Sequence, residues 1–337
     1  MSMISKITVE EALKLEDAQL IDARSPKEYE EDHLEGAVNI PLLDNDERHE
    51  IGTIYKQISR DLAIEKGLTY YAKKIPTIFK TIEPFKNKKL VIYCARGGMR
   101  SGIIASLLDS IGLEVYQIEG GYKLFRHWIL DQYQNITINP EVYILYGLTC
   151  TGKTELLKRL PNVIDLEALA QHRGSLYGAI GLTPNSQKRF ENLLLQKLKE
   201  LNDKPFILLE GESRKVGNSQ IPEVLWEKMK NGKKILIKRS LELRCQAMVD
   251  EYFINPKIVE EIKSITKELR RVISNENKEK IIELVEKKQF AEAARILFVE
   301  YYDPLYEHEL NKMNFELIVD NKNFDEAAKI IKDKISC

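Results

Sequence analysis

"KKLVIYCARGGMRSGIIASLLDSIG", Lys88 to Gly112, decides how the first part of the chain folds. The apolar run from Leu90 to Tyr93 has the length of a buried strand. Cys94, Arg96, Gly97, Gly98 and Arg100 follow as a glycine-rich loop. From Ser101 the apolar residues recur at helical spacing until Gly112 supplies a stop. In a strand–loop–helix of this kind, backbone N–H groups converge on an anion and the helix aims its positive end at it. Gly97 and Gly98 permit the tight curl. A thiol at Cys94, beside Arg96 and Arg100, is expected to ionise well below the free value of about 8.5. That suits sulfur-group transfer, or attack on phosphate or arsenate. The same pattern also accommodates a buried structural cysteine at a strand end. A catalytic cysteine usually has a histidine base within reach. The nearest in sequence, His127, is poorly placed, so the loop itself would have to activate the thiol.

Outward from this loop, short strands alternate with short helices over residues 1–134. "AQLIDARS" is a brief strand, "PKEYEEDHLEGAVNIP" an acidic helix, a turn at Gly36 and a second strand, and "LEVYQIEGGYKLFRHW" a last strand. The pattern implies an α/β domain with a mostly parallel sheet. "DQYQNITINPEV" is polar and weakly periodic, which places a boundary there. A second α/β series spans 135–255. Residues 256–337 read as a helical region packed on it, with Ile258, Ile262, Ile265, Leu269 and Val272 on one face.

The second series opens on "VYILYGLTCTGKTELLKRL", Val142 to Leu160. Gly147 to Thr154 satisfy G-x-x-x-x-G-K-[ST] between a strand and a helix, the context of a phosphate-binding P-loop. Gly147, Thr149 and Gly152 belong to the cradle, Lys153 reaches terminal phosphoryl oxygens, and Thr154 can hold Mg²⁺. Cys150 reads as a tolerated small residue. The strand "PFILLEGES" ends in Glu210 and Glu212 rather than the usual aspartate, and no water-positioning residue can be assigned. The loop is therefore expected to bind a diphosphate, without efficient nucleotide hydrolysis following from it. Asp165, Glu167, His172 and Arg173 in "DLEALAQHRGS" stand after another strand, at the mouth where α/β ligands bind, or else form a polar helix start.

A chain of 337 residues, 43% hydrophobic and 31% charged, exceeds one core and is too apolar for disorder. A net charge of −1 gives no global nucleic-acid signature, so a polyanion would need a local patch. Lys228 to Arg239 and Lys263 to Arg271 are the basic runs available; the second reads equally well as a solvated helix face. Tyr301, Tyr302 and Tyr306 are candidates for base stacking, with core packing the alternative for at least two of them. No apolar run reaches the roughly 18 residues of a membrane span. The N-terminus carries charges where a signal peptide needs an apolar core. The four scattered cysteines show no metal-ligand spacing, and the expectation is a cytoplasmic protein with reduced thiols.

Asp22, Arg24, Gly36, Ala37, Asn39, Ile40 and Pro41 ahead of a cysteine loop resemble the rhodanese family, whose domains carry a persulfide on the loop cysteine. Many single-domain members have four residues between Cys and Arg; here five separate Cys94 from Arg100. Relatives with the longer loop are phosphatases and arsenate reductases, which favours a phosphate-shaped substrate. With "LDNDERHEIGTIYKQ", "CARGGMRS", "EGGYKLFR", "DLEALAQHRGS" and "ENLLLQKL", residues from about Ile21 to Val216 closely resemble the bacterial tRNA 2-selenouridine synthases. This resemblance implies a transferase that replaces the sulfur of wobble 2-thiouridine in a tRNA anticodon loop by selenium from selenophosphate. It implies an S-geranyl intermediate made from geranyl diphosphate, both donors being cosubstrates with no permanent cofactor. Cys94, Arg96 and Arg100 would act in selenation, with Gly97, Gly98 and Ser101 in the anion loop. Gly147, Thr149, Gly152, Lys153 and Thr154 would hold the diphosphate. Asp22, Arg24, Glu210, Glu212, His172 and Arg173 would support. The selenophosphate-producing enzyme is a candidate partner. The alternatives are a small-molecule kinase or NTPase fused to a sulfurtransferase, or a tRNA- or nucleotide-binding module with a vestigial first domain.

Overall fold

The computed structural model describes residues 4–175, 177–253, 256–269 and 273–335. Arg270 and Arg271 of the second basic run, and Val272 of the apolar helix face, lie outside the described residues. The chain divides into two compact units, Met1–Asn135 and Ile136–Cys337.

The first unit runs β1 (Ser5–Ile7), α1 (Val9–Lys14), β2 (Ala18–Asp22), α2 (Pro26–Glu31), β3 (Val38–Asn39), α3 (Asn45–Gln57), α4 (Arg60–Ile82), β4 (Lys89–Tyr93), α5 (Met99–Ser110), β5 (Val115–Ile118) and α6 (Gly121–Asn135). Its sheet has the order β1-β5-β4-β2-β3, with every pair parallel. The central strand β4 is buried from Leu90 to Tyr93, as a strand covered on both faces requires. It packs with Ile21, Ile78, Ile82, Ile104 and Leu108. Helix starts are written locally. Ser25 and Glu28 form a capping box ahead of α2, with Pro26 in its first turn. Asp44 and Glu47 cap α3 in the same way. The polar stretch around "DQYQN" is helical, because α6 continues through Asn135 with Phe125 and Ile129 turned into the core.

The helical hairpin α3–α4 between β3 and β4 is tied together by ion pairs of Lys66 with Glu50 and Lys74 with Glu47, and by a bond from the Tyr70 hydroxyl to Glu50.

Beneath the sheet's carboxyl edge lies a buried polar network. Arg24 Nη2 donates to Asp22 Oδ2 at 2.6 Å and to the Asp32 carbonyl at 2.6 Å. Its guanidinium lies 3.9 Å from the Tyr122 ring centre, and the Tyr122 hydroxyl donates to Asp32 Oδ2 at 2.9 Å. Asp22 and Arg24 thus pair with each other and set the floor of the unit. Asp22→Ala would leave a buried guanidinium without its carboxylate, and is expected to lower the stability of this unit by about 3–5 kcal/mol in urea unfolding. A loss under about 1 kcal/mol would mean that water compensates the arginine.

The second unit runs β6 (Glu141–Tyr146), α7 (Lys153–Leu157), β7 (Val163–Ile164), α8 (Leu166–Ala170), α9 (Gln187–Leu201), β8 (Phe206–Glu210), β9 (Lys215–Val216), β10 (Ser219–Gln220), α10 (Glu223–Asn231) and β11 (Lys233–Lys238). It continues with α11 (Leu241–Tyr252), α12 (Pro256–Glu268), α13 (Asn275–Glu286), α14 (Phe290–Leu297), α15 (Asp303–Leu310), β12 (Leu317–Asp320) and α16 (Phe324–Ile335). The sheet order is β12-β11-β6-β8-β7, again parallel throughout. Helices α11–α15 form a cluster of their own around Ile262, Ile281, Leu297, Phe298 and Tyr302. The region read as helical from 256 onward is therefore interrupted. Its Leu317–Asp320 segment leaves the helices and pairs with β11, and α16 covers that edge with Ala327, Ala328 and Ile331. Among the described residues, no helix is long and apolar enough to cross a membrane.

Candidate functional site

Each unit holds one anion-shaped loop at the carboxyl edge of its parallel sheet, where strand ends point their side chains and helix starts their N–H groups.

In the first unit β4 delivers Cys94, which is 3% exposed. Ser101 Oγ, on the first turn of α5, lies 3.2 Å from Cys94 Sγ and also 3.2 Å from the Gly98 carbonyl. Gln117 of β5 donates to Ser101 Oγ at 2.7 Å and to the Gly97 and Gly98 carbonyls at 3.1 and 3.2 Å, holding that hydroxyl in place. Burial opposes ionisation of Cys94. The Ser101 hydroxyl, the backbone N–H groups of Arg96 and Ser101 and the charge of Arg100 outweigh it, and the thiol falls below its ordinary value.

The two arginines divide. Arg100 is drawn inward by Glu28 of α2, with Nη1 to Oε2 at 2.6 Å and Nη2 to Oε1 at 3.3 Å. Arg96 contributes its backbone N–H, while its side chain is exposed at the rim. The loop is braced from behind by Gly121 at the start of α6. A Cβ there would stand 2.1 Å from the Cys94 carbonyl and 2.5 Å from Gly97 N. Tyr122 N donates to that same carbonyl at 2.8 Å. No sequence motif marks Glu28 or Gln117, and Gly121 stands within "EGGYKLFR".

The alkylation rate of Cys94 by iodoacetamide is expected to rise with pH through an inflection below the free-thiol value of about 8.5. Ser101→Ala removes a donor that favours the thiolate and is expected to move the inflection upward. An unchanged inflection would deny Ser101 this role.

In the second unit β6 ends at Tyr146 and the loop Gly147–Thr154 follows. Gly152, at φ +86°, permits the turn into α7, and a Cβ there would meet Phe324 and Asn321 at 2.5 and 2.8 Å. Helix α7 has only five residues, so its dipole adds little and the loop amides and Lys153 carry the positive potential. Lys153 Nζ donates to the Gly147 carbonyl at 3.0 Å. Three side chains hold the loop's backbone. Arg244 Nε donates to the Thr149 carbonyl at 2.8 Å while its other nitrogens grip Asp303, and Asn321 Nδ2 donates to the Thr151 carbonyl at 2.8 Å. Thr151 Oγ1 closes the turn onto the Leu148 carbonyl. Arg244 comes from the end of the 135–255 series and Asn321 from the region read as helical, and no motif marks either. Burial pushes the Cys150 thiol up to about 12, so it stays neutral and packs against the helical cluster.

Across the loop stands a group of carboxyls. Thr154 Oγ1 donates to Glu167 Oε2 at 3.1 Å, and Glu210 Oε1 accepts from Glu167 N at 2.6 Å. Glu210 Oε2 is buried with no partner among the described residues. Burial, then the neighbouring Asp165 and Glu167, pushes Glu210 well up; burial, then Glu167, pushes Glu212 up to about 8. Glu167 is raised by burial despite Lys153 and Thr154. Oxygen donors at Thr154 and Glu167 suit a hard cation such as Mg²⁺. Among the described residues no group of three or more acidic, histidine or cysteine side chains is arranged to hold a metal unaided. A magnesium ion here would draw its remaining ligands from phosphate oxygens and water.

Folding raises Glu212 from the ordinary 4.5 to about 8, so the native state binds a proton that the unfolded chain has lost. Stability is expected to fall as pH climbs through that window. Glu212→Gln should flatten this slope in melting curves taken between pH 5 and about 8; an unaltered slope would locate the proton elsewhere.

His172 Nδ1 accepts from Gly174 N at 3.1 Å, and burial followed by the charge of Arg173 lowers the ring, favouring neutral imidazole. Arg173 pairs with Glu251 at 2.6 Å and donates to the Ile180 carbonyl at 2.8 Å, so it ties α8's exit to α11. The basic run Lys228–Arg239 is broken by the fold. Lys230 pairs with Glu227 on α10 and Lys233 with Glu141, while Arg239 stands at the opposite end of β11 with its guanidinium 4.9 Å from the Phe324 ring. Lys263 is taken up by Glu260 and Glu286. Of the three tyrosines, Tyr302 is in the core against Phe298 and Tyr177, and Tyr301 is half-buried against it. Tyr306 is 38% exposed, and its phenol feels Glu212 and Glu167.

Residues 6–127 match the rhodanese-like domain family, and residues 140–269 match the tRNA 2-selenouridine synthase AAA domain family. Among solved structures, the N-terminal domain of a protein from Clostridium difficile 630, provisionally described as ATP/GTP-binding, is 48% identical. The match covers 37% of this chain and 99% of that one, with a TM-score of 0.36. A rhodanese-related protein from Thermoplasma volcanium is 22% identical over 38% of this chain and 92% of its own, with a TM-score of 0.23.

Proposed function

Because the chain belongs to the tRNA 2-selenouridine synthase family, a tRNA-modifying family whose substrate is tRNA, we propose that its two loops divide the conversion of wobble 2-thiouridine into two transfers. In the first, the thiocarbonyl sulfur attacks C1 of geranyl diphosphate. The C–S bond forms as the C–O bond breaks, diphosphate leaves, and the base loses its N3 proton. The amides of Gly147–Thr154 and the ammonium of Lys153 stabilise charge growing on the leaving oxygens. A magnesium ion bound at Thr154 would supply further charge neutralisation there.

In the second, selenophosphate meets the Cys94 loop. Its selenium adds to C2 of the S-geranyl base, and geranyl thiol departs with a proton. Water then cleaves the P–Se bond, leaving phosphate and the selenocarbonyl. The loop's N–H groups and Arg100 suit a tetrahedral dianion. The lowered thiol of Cys94 supports a direct role as the group that orients the donor in the loop.

The observation that carries this reading is the pairing, in one chain, of a low-pKa cysteine in an anion loop with a P-loop whose flanking carboxyls are protonation-prone. The test is mass analysis of nucleosides from thiolated tRNA incubated with geranyl diphosphate and then selenophosphate. S-geranyl-2-thiouridine followed by 2-selenouridine is expected. Steady ATP turnover without tRNA, and no geranylated base, would favour the kinase or NTPase alternative.

A further inference from the structure

Helix α5 presents apolar residues on both faces. Ile104, Ala105 and Leu108 enter the core with Ser101, and Ile103 packs against its edge together with Tyr71 of α4, whereas Met99 and Leu107 lie along the opposite side, Met99 being 48% exposed. A helix covering one face of a sheet is normally polar on its outer side. Here the outer side, with Gly102, Ser106 and Tyr71 of α4, lines a groove of about 430 Å³. The groove starts at Met99, the residue after Gly98 of the anion loop, and continues to Leu107, about 12 Å along the helix axis.

We infer that this groove binds the isoprenoid chain carried on the sulfur of the base while the Cys94 loop exchanges sulfur for selenium. The inference rests on the two-transfer reading above and names a subsite for its second transfer. Three observations favour an alkyl chain. The lining is apolar apart from the Ser106 and Tyr71 hydroxyls. Met99, Gly102, Ile103, Ser106 and Leu107 follow the i, i+3, i+4 spacing of a single helix face, which makes a straight track. An extended ten-carbon isoprenoid is about 10 Å long, from C–C bonds of about 1.5 Å, and matches that track. The small side chains at Gly102 and Ser106 let a chain lie close against the helix. Its burial would hold the base with its C2 beside the anion loop.

Ser106 is exposed, so Ser106→Trp fills the groove without disturbing the core. The test uses the full chain, selenophosphate, and two anticodon stem–loops bearing either S-geranyl- or S-methyl-2-thiouridine. Ser106→Trp is expected to raise KM for the geranylated RNA about tenfold or more, while the S-methyl RNA stays within about twofold. Equal losses on both RNAs, or none on either, would overturn the subsite, as would be seen if protein covered this face. Equilibrium dialysis of radiolabelled S-geranyl-2-thiouridine nucleoside against the same two proteins separates the two claims. If the native chain exchanges neither RNA, the two-transfer reading fails. The subsite is then judged by the nucleoside alone, bound by the native chain and weakened about tenfold in the variant. Absent or unchanged binding sinks it.

Discussion

Cys94→Ser is expected to abolish selenium incorporation, by a factor of about 10³ or more, while leaving S-geranylation within about twofold. The substitution is nearly isosteric: the bonds of Gln117 and Tyr122 around position 94 involve groups that serine does not displace, and a serine Oγ there can accept from Ser101 as Sγ does. What disappears is the polarisable, low-pKa sulfur. A serine hydroxyl is far from ionised in the same loop, and burial, which already opposes the thiolate, opposes an alkoxide more strongly. Nucleoside mass analysis reads both products in one sample. Loss of both modifications, or of neither, would dissolve the division of labour between the two loops.

Lys153→Ala is expected to slow geranyl transfer about 10²–10³-fold, mostly in the chemical step. The ammonium is the only positively charged side chain within Gly147–Thr154, and α7 is too short to replace it with a dipole. Its removal also leaves Glu167 and Glu212 without a charge that now holds them down, so both carboxyls should protonate at still higher pH. Selenation of an RNA supplied already geranylated should proceed at the native rate. Were that second reaction to fall equally, or geranylation to survive within severalfold, the diphosphate would not be the ligand of this loop.

Both loops were legible because each is written in consecutive residues. A strand, a glycine turn and a reactive side chain within about a dozen positions leave the chain little freedom over where donors point. Their supports come from far along the chain. Glu28 lies on α2 yet fixes Arg100, and Gly121 opens α6 yet presses on the Cys94 carbonyl. Arg244 and Asn321 sit in text with no glycine, motif or run to flag them, and matter only because helix α11 and the end of β12 return to the P-loop. The basic run Lys228–Arg239 shows how the fold redistributes neighbouring charges. Adjacent in sequence, its charges are sent by a strand to opposite ends of the sheet.

The sequence by itself determined the α/β class, the two strand–loop–helix segments and the places of Cys94, Lys153 and Thr154 in them, since local spacing dictates local backbone. Only the tertiary structure decided that Cys94 is activated by Ser101 and backbone N–H groups, that Leu317–Asp320 is a strand, and that α5 turns a second apolar face outward. Those outcomes depend on which distant segments meet. A hydroxyl lowers a thiol, and a four-residue segment becomes a strand, only when a partner stands at hydrogen-bond distance.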